Sequence, residues 1–338
     1  YNRFDLVETK LQAVPSVSGP VKQLTNKKEA VDIIRKTLIN SDALIARLPS
    51  EIGHLAIKVA KELNKPYAVE VVACVWDALW NHGKLMGKIY APIAMHKMKR
   101  QVLSSPYTLY VTDEFLQRRY PTKGKTTNVS DVEISHIYEE SYNIRDERIK
   151  NTDSYKIGMI GSLKNHIKGW DVALKAMSIL HDKGIDFELQ MLGDGDTEPW
   201  ATIAEKLGVK SKVKFCGVLP GGEPVLRWLD QIDIYIQPSY QEGLPRAVIE
   251  AMSRGCPVVG SRAGGIPELI DVNCIHRTGD YMALASNIEK IVSNKQYYLK
   301  LVRQNLEKAE QYKKSILDQE RSQFWSEFAV KCREVKNT

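Results

Sequence analysis

Between residues 156 and 293 the chain alternates short apolar strands with helices, and this alternation limits the possible folds more than any other feature. Each predicted strand is a short apolar run, and apolar residues at helical spacing follow it. Such alternation is typical of a parallel sheet whose strands are joined by helices. It predicts a doubly wound α/β domain, with strands at Ile157–Gly161, Phe187–Leu192, Val213–Cys216, Ile232–Gln237 and Pro257–Gly260.

The first part of the chain follows the same pattern less regularly. Ala43–Leu48 and Tyr67–Ala73 are predicted strands on either side of a helix at Ile52–Leu63, and Leu109–Thr112 is a third strand. We place a linker at Tyr142–Asp153, because its charged residues break both periodicities. The sequence therefore predicts three parts: an N-terminal domain over residues 1–145, a second domain over 146–318 and a closing helix over 319–338.

The most specific motif lies in residues 240–268, where a predicted strand passes through a loop into a helix. Glu242 stands in the loop, and Pro245 is expected at the first helical position, which needs no N–H donor. Glu250 follows on the second turn, and Gly255 is a natural C-terminal stop. The start of this helix offers free N–H groups and the positive end of the helix dipole, which suit a diphosphate.

These residues resemble the signature of retaining glycosyltransferases of family 4, which have the GT-B fold. The signature is a Glu, seven residues and a second Glu; the chain has Glu242-Gly243-Leu244-Pro245 and then Glu250-Ala251-Met252. Gly264-Gly265-Ile266-Pro267-Glu268 follows, as in the family. The resemblance implies an α/β GT-B fold with two Rossmann-like doubly wound domains facing a cleft. The chain opens in a strand-like segment, Phe4–Val7, so the N-terminal domain is expected to be incomplete.

The resemblance also implies a donor site for a nucleotide-diphosphate sugar on the second domain. Glu242 would hold sugar hydroxyls near the anomeric centre, and Glu250 would hold the ribose hydroxyls. Lys168 would neutralise the departing diphosphate. Ser162 stands where the family has an Arg, and Lys164 is the candidate to supply that charge. Loop residues complete the predicted donor site: Gly193, Gly195, Gly217, Gly243, Leu244 and Pro245.

The acceptor side departs most from the family pattern. Many members carry a His after an N-domain strand, but the segment Val71–Asp77 contains none. Asp77 or His82 could take that place near the cleft, and we choose Asp77 as the candidate catalytic residue. A helix-capping Asp and an ordinary loop His are the alternatives. The segment Asn128–Asp131 likewise replaces the family's Asn-Gly-Val-Asp.

No metal or cofactor is expected. Asp194-Gly195-Asp196 has the Asp-x-Asp spacing that holds a divalent cation in nucleotide-sugar transferases of another fold. The resemblance implies a metal-independent reaction instead, in which Lys164, Lys168 and the helix start neutralise the leaving group. Two rival functions stay open: another GT-B enzyme such as a nucleotide-sugar epimerase or a phosphorylase, and an inactive nucleotide-sugar binding protein, which Ser162 and the missing His favour.

Composition and cysteine usage indicate the compartment. The 338 residues include five cysteines, an odd number without Cys-x-x-Cys spacing, so we expect free thiols in the reducing cytoplasm. No apolar run approaches the length of a membrane span, and no signal peptide is visible. The net charge of +7 is moderate and no aromatic-and-basic motif accompanies it, which argues against nucleic-acid binding.

Part of the positive charge lies in Gly83–Arg100, where apolar residues recur at helical spacing. Such a basic amphipathic helix could rest on the inner face of an anionic membrane that carries a lipid-linked acceptor. Alternatively, its apolar side packs on its own domain and the lysines are simply solvated.

We therefore predict a bacterial-type retaining hexosyltransferase. It would move a sugar from a nucleotide-diphosphate donor to a glycan, lipid-linked or small-molecule acceptor, with cell-surface polysaccharide synthesis as the expected setting. The resemblance also implies that the backbone of the loop Cys216–Leu219 contacts the base of the nucleotide. Backbone contacts leave little trace in the side chains, so the sequence does not identify the nucleotide or the sugar.

Overall fold

A computed structural model describes residues 10–81, 85–138 and 140–336, and in these residues the strands form two parallel sheets. The smaller sheet has the order β1-β2-β3-β4, and the larger has the order β10-β9-β8-β5-β6-β7. The strands are β1 (Leu44–Leu48), β2 (Tyr67–Val71), β3 (Tyr107–Tyr110), β4 (Lys125–Asn128), β5 (Tyr155–Ile160), β6 (Phe187–Leu192), β7 (Val213–Gly217), β8 (Ile234–Gln237), β9 (Val258–Ser261) and β10 (Ile275–His276).

Helices cover the sheets and close the chain. Several begin at a side chain that accepts a backbone N–H, such as Ser50 before α2 and Asn294 before α12. The helices are α1 (Pro20–Ile39), α2 (Glu51–Glu62), α3 (Val75–Trp80), α4 (Leu85–Leu103), α5 (Phe115–Arg119), α6 (Ser141–Lys150), α7 (Trp170–Asp182), α8 (Glu198–Lys206), α9 (Glu223–Asp230), α10 (Arg246–Ser253), α11 (Tyr281–Val292), α12 (Lys295–Ala309) and α13 (Lys314–Lys336).

The larger sheet confirms the predicted α/β class and its doubly wound arrangement. From β5 the chain adds β6 and β7 on one side, and then returns to add β8, β9 and β10 on the other. Strands β5 and β8 are therefore neighbours whose connections leave in opposite directions. In open parallel sheets such a switch point leaves a crevice outside the carboxyl ends of the strands, where ligands bind.

The smaller sheet contains the three predicted strands and a fourth, β4, that periodicity did not reveal. Its order runs in one direction only, from β1 to β4. Strand β4 is short and mostly polar, because it lies at the sheet edge with exposed threonine and lysine side chains. The opening segment Phe4–Val7 and His82 lie outside the described residues.

The segment in which we placed a linker, Tyr142–Asp153, is mostly helical in α6. One of its charged side chains, that of Arg145, is buried. The Arg145 guanidinium donates to the carbonyl oxygens of Leu229 at 2.8 Å and Arg254 at 3.1 Å, and also to that of Ile232. These carbonyls lie at or just beyond the ends of α9 and α10, where the regular intrahelical hydrogen bonds run out. The charge is therefore structural, and the exact domain boundary stays a prediction.

The last helix, α13, packs against the smaller sheet. Phe324 and Phe328 are buried, and both rings contact the ring of Tyr107 in β3, with centroids 5.8 and 5.3 Å apart. Leu109 of β3 belongs to the same buried cluster. A helix that follows the second domain in sequence thus covers the sheet of the first.

Arg145 generates the first prediction. Arg145→Met keeps an apolar stem but leaves three buried carbonyls without their donor, so unfolding should cost about 3 kcal/mol less than in the parent protein. Urea unfolding followed by tryptophan fluorescence measures this loss. Arg333→Met, at an exposed position of α13, is the control and should change little. Equal midpoints for the two variants would show that the buried guanidinium contributes nothing.

Candidate active site

Loops from five strands meet at the carboxyl edge of the larger sheet. The loop after β6 fits against the loop after β5 only because residue 193 is glycine: a Cβ there would lie 1.6 Å from the Gly161 carbonyl oxygen. The Gly193 N–H donates to the Gly217 carbonyl oxygen at 2.7 Å, which ties in the loop after β7. Gly195, with φ +129°, passes close to Lys164. The structure thus brings the predicted glycines together beside the switch point.

The centre of this edge is an ion pair between Lys168 and Glu242. Lys168 follows β5 and Glu242 follows β8, and Lys168 Nζ lies 2.8 Å from Glu242 Oε1. The Glu242 side chain is only 7% exposed and that of Lys168 29% exposed. A charge-assisted hydrogen bond at this depth fixes both side chains far better than a pair in open solvent.

Two further donors hold the same carboxylate oxygen. Ser239 Oγ donates to Glu242 Oε1 at 2.6 Å, and Gln237 Nε2 donates to it at 3.0 Å. Behind them the hydroxyl of Tyr235 donates to Gln237 Oε1 at 2.6 Å, and burial raises the pKa of Tyr235 well above its usual value. Because Oε1 receives three donors, Glu242 Oε2 is the oxygen left to meet a ligand.

Sequence reasoning missed this supporting row of Tyr235, Gln237 and Ser239. Its signal was present: polar side chains stand at every second position at the end of an otherwise apolar buried strand. Alternate positions of a strand share one face of the sheet. Here two of the side chains on that face, Gln237 and Ser239, donate to Glu242.

The helix α10 begins one residue later than predicted. Pro245 precedes it with φ −75° and ψ 113°, an extended conformation, so Arg246 is the first helical residue. No side chain caps this start. At the other end Gly255 takes φ +68°, its N–H bonds the Met252 carbonyl, and the Cys256 N–H bonds the Ala251 carbonyl, which is the expected glycine stop.

Glu250 lies on α10 and is half-buried. Among the described residues no group donates a hydrogen bond to its carboxylate. Burial raises the pKa of Glu250, and Arg246 opposes that shift by its positive charge. A buried carboxylate without a donor is ready to accept hydroxyl groups from a ligand.

Lys164 is engaged elsewhere. Its ammonium forms an ion pair with Asp194, and this contact lowers the pKa of Asp194. Ser162, where the family has an Arg, carries no charge; its hydroxyl donates to the Asp194 carbonyl oxygen at 3.4 Å and accepts the Lys164 N–H at 3.4 Å. Of the two lysines, Lys168 alone contacts Glu242. In the described part of the chain, no three His, Cys, Asp or Glu side chains are grouped as metal ligands.

Asp77 lies on the smaller domain, in the first turn of α3. Its carboxylate is paired with Arg119 at 2.8 Å and is 18% exposed. Arg119 also donates to the thiol sulfur of Cys74 at 3.0 Å. No contact joins Asp77 to the Lys168–Glu242 pair among the described residues, so its catalytic role stays a prediction.

The two domains meet through the loop after β9. The Glu268 carboxylate accepts the backbone N–H groups of Asp113, at 2.6 Å, and Phe115, at the start of α5. In the same loop, Gly264 lies so close to the backbone of Glu242 that a Cβ would be 2.2 Å from its carbonyl oxygen. The loop after β9 therefore contacts the backbone of Glu242 and also the smaller domain.

The Glu268 contact gives a second prediction. Glu268→Ala removes the acceptor for two N–H groups at the domain interface, so the domains should separate more readily and stability should fall by about 1–2 kcal/mol. Small-angle scattering should show a larger radius of gyration than in the parent protein. Glu289→Ala, which removes an exposed pair with Lys183, is the matched control. An unchanged radius for Glu268→Ala would mean that this contact does not hold the domains together.

Comparison with known proteins agrees with this geometry. The family model described as glycosyl transferases group 1 matches residues 154–294, which contain the whole ion-pair region. Protein CapJ of Staphylococcus aureus is 31% identical over 297 residues, covering 88% of this chain and 74% of that protein. The amylovoran biosynthesis glycosyltransferase AmsK of Erwinia amylovora is 40% identical over 129 residues, covering 35% of this chain and 31% of that protein.

Solved structures share the fold at low sequence identity. Sucrose-phosphate synthase of Thermosynechococcus elongatus has a TM-score of 0.68 at 16% identity, over 93% of this chain and 82% of that one. Anabaena HepE in complex with UDP-glucose has a TM-score of 0.66 at 17% identity, over 91% and 84%. On these findings the chain belongs to the group 1 glycosyltransferases, with the GT-B fold.

Proposed function

We propose that this protein is a retaining, metal-independent hexosyltransferase that uses a nucleotide-diphosphate sugar. The observation that carries the proposal is the buried Lys168–Glu242 pair at the switch point of the larger sheet. It sets a cation and a carboxylate side by side: the cation suits a diphosphate, and the carboxylate suits sugar hydroxyls. Few other ligands need both charges at one sheet edge.

The donor is proposed to be a uridine-diphosphate hexose. The structures of Anabaena HepE hold UDP, UDP with glucose, or UDP-glucose, and their fold matches this chain at TM-scores of 0.66 to 0.68. Glu250, with no internal donor, would accept the ribose hydroxyls. The uncapped start of α10 would meet the diphosphate with its free N–H groups. The loops at Gly193 and Gly217 would let the ligand approach the backbone closely, because glycine has no side chain.

Lys168 would act mainly as the glycosidic bond breaks. Its ammonium has three protons, and one is directed to Glu242, which leaves two for phosphate oxygens. As the bond between the anomeric carbon and the phosphate oxygen breaks, negative charge grows on the diphosphate and Lys168 stabilises it. Glu242 would favour the developing positive charge on the sugar. The acceptor hydroxyl would attack from the face that the diphosphate leaves, and its proton would pass to the departing phosphate oxygen.

The acceptor is proposed to be a glycan, a lipid-linked sugar or a small molecule in surface-polysaccharide synthesis. The relative AmsK is named for amylovoran biosynthesis. A loop of the smaller sheet lies against the loop after β8. Val72 marks this contact, because a Cβ on Gly243 would lie 3.2 Å from its carbonyl oxygen. Asp77 is the proposed acceptor-side carboxylate, oriented by Arg119. The five cysteines are free, which suits the reducing cytoplasm.

An inactive nucleotide-sugar binding protein is the alternative that one observation favours. Ser162 supplies no charge where the family has an Arg, and Lys164 is paired with Asp194. Lys168 would then supply most of the positive charge that stabilises the leaving group. Release of UDP from UDP-hexose in the presence of acceptors separates the two: donor binding without any UDP release under all acceptors would indicate the inactive protein.

Glu250 generates the third prediction. Ribose hydroxyls donate to its carboxylate, so binding favours the ionised form and lowers a pKa that burial has raised. Near neutral pH, Glu250→Gln should weaken UDP binding by about 10- to 100-fold, the effect of a lost hydrogen bond to a charged group. As the pH falls through the raised pKa of Glu250, this carboxylate takes up a proton in the parent protein and binds the ribose less well. The difference in UDP affinity between the parent and Glu250→Gln should therefore narrow. Calorimetry with UDP measures both.

The pH comparison has an internal control. The diphosphate itself takes up protons at lower pH, but it does so equally with both proteins, so the ratio of their affinities isolates Glu250. Glu289→Gln, an exposed carboxylate, should bind UDP as the parent does at every pH. A Glu250→Gln protein with parental UDP affinity, or an affinity ratio that does not change with pH, would remove Glu250 from the nucleotide site.

A further inference from the structure

The helix α4 has large apolar side chains on its outer face. The residues that it buries against its domain are mostly small: Ala91, Ala94, Met98 and Val102. The outer face carries larger ones that stay mostly exposed, at 58–73% of their surface: Leu85, Met86, Ile89 and Ile93. These four side chains do not pack on their own domain, contrary to one of the two sequence-based alternatives. A helix with two apolar faces lacks a partner for one of them.

An exposed tryptophan extends this apolar surface. Trp80, at the end of α3, is 42% exposed and stacks on Trp76 with ring centroids 5.1 Å apart. The ammonium of Lys88 lies 5.7 Å from the centre of the Trp80 ring. Tryptophan beside lysine is typical of the interface between lipid tails and headgroups, because the ring is apolar and its N–H polar.

The far end of α4 borders a basic groove of about 680 Å³. Its cations come from α2, α4 and the loop before β4: Lys61, Lys97, Arg100 and Lys123. Lys97 is paired with Glu51 at 2.7 Å, and Lys61 donates to Ser104. In the described residues no carboxylate pairs with Arg100 or Lys123. The groove therefore has positive charge left for an anion.

The apolar part and the basic groove follow one another along the helix. Three residues, 104–106, join α4 to β3, so the basic end lies at the amino edge of the smaller sheet. The apolar end consequently lies at the carboxyl edge, the edge whose loops meet the donor domain. The helix spans about 28 Å between these ends. A flat partner that contacts both would lie beside the mouth of the interdomain cleft.

We propose that Trp80, the outer face of α4 and the basic groove form a docking surface for an anionic phospholipid bilayer. The apolar side chains enter the headgroup region, and the groove binds lipid phosphates. Charge complementarity favours this occupant, since the cations Arg100 and Lys123 have no carboxylate partner among the described residues and suit lipid phosphates. Only the role of this surface, which is to hold the cleft beside a lipid-linked acceptor, rests on the proposed function. No helix in the described parts of the chain is long and apolar enough to cross the bilayer.

Vesicle binding tests this surface. The parent protein should sediment with vesicles of phosphatidylcholine and phosphatidylglycerol, and only weakly with phosphatidylcholine alone or at high salt. Ile89→Ser with Ile93→Ser should lower the partition coefficient at least about tenfold. Arg100→Ser with Lys123→Ser should lower it by about 10-fold or more, since each cation near an anionic surface contributes about fivefold.

Matched controls stand elsewhere on the surface. Met282→Ser removes an apolar side chain that is 64% exposed, and Lys206→Ser with Lys300→Ser removes two exposed cations of the donor domain. Each should bind vesicles as the parent does. Absence of parental binding to anionic vesicles, or equal losses in test and control variants, would overturn the proposal. A dimer in sedimentation velocity that Ile89→Ser with Ile93→Ser abolishes would assign the face to a second copy instead. UDP affinity should be unchanged in every variant, so the donor site is judged separately.

Discussion

The ion pair between Lys168 and Glu242 is the contact on which the rest of the site depends. It joins the loops after β5 and β8, the two strands from which the larger sheet grows in opposite directions. Ser239 and Gln237 also donate to the carboxylate, so one of its oxygens is fixed and the other has no donor among the described residues. The charge cannot move to another partner without breaking three hydrogen bonds, which makes the pair a preorganised feature.

The arrangement of the domains is tied to the same place. The loop after β9 packs its glycines on the backbone of Glu242 and places Glu268 against the start of α5 in the other domain. A rotation between the domains would therefore disturb the loop that carries the ion pair. In a transferase this is useful, because water must be kept from the reactive sugar until the acceptor is bound.

The sequence predicts elements better than it predicts contacts. Strand and helix positions in the larger domain follow from periodicity, because most of its strands are largely buried and the runs are short and apolar. The start of α10 is predicted one residue too early, at Pro245, since proline fits both the first helical position and the extended residue before it. Which partner a charge finds is a matter of tertiary structure: Arg145 is buried, and Lys164 turns to Asp194. Neither follows from local pattern.

Glu242→Gln tests the account most directly, because it keeps the size of the side chain and an acceptor for Lys168 but removes the charge. Transfer from UDP-hexose should fall by roughly 10²–10³-fold, the scale of one preorganised electrostatic contact. UDP affinity should stay the same or become slightly tighter, since UDP has no sugar for Glu242 to contact and a neutral amide holds Lys168 less strongly than a carboxylate does. Normal transfer, or an equal loss of UDP and UDP-hexose binding, would contradict the assignment of Glu242 to the sugar.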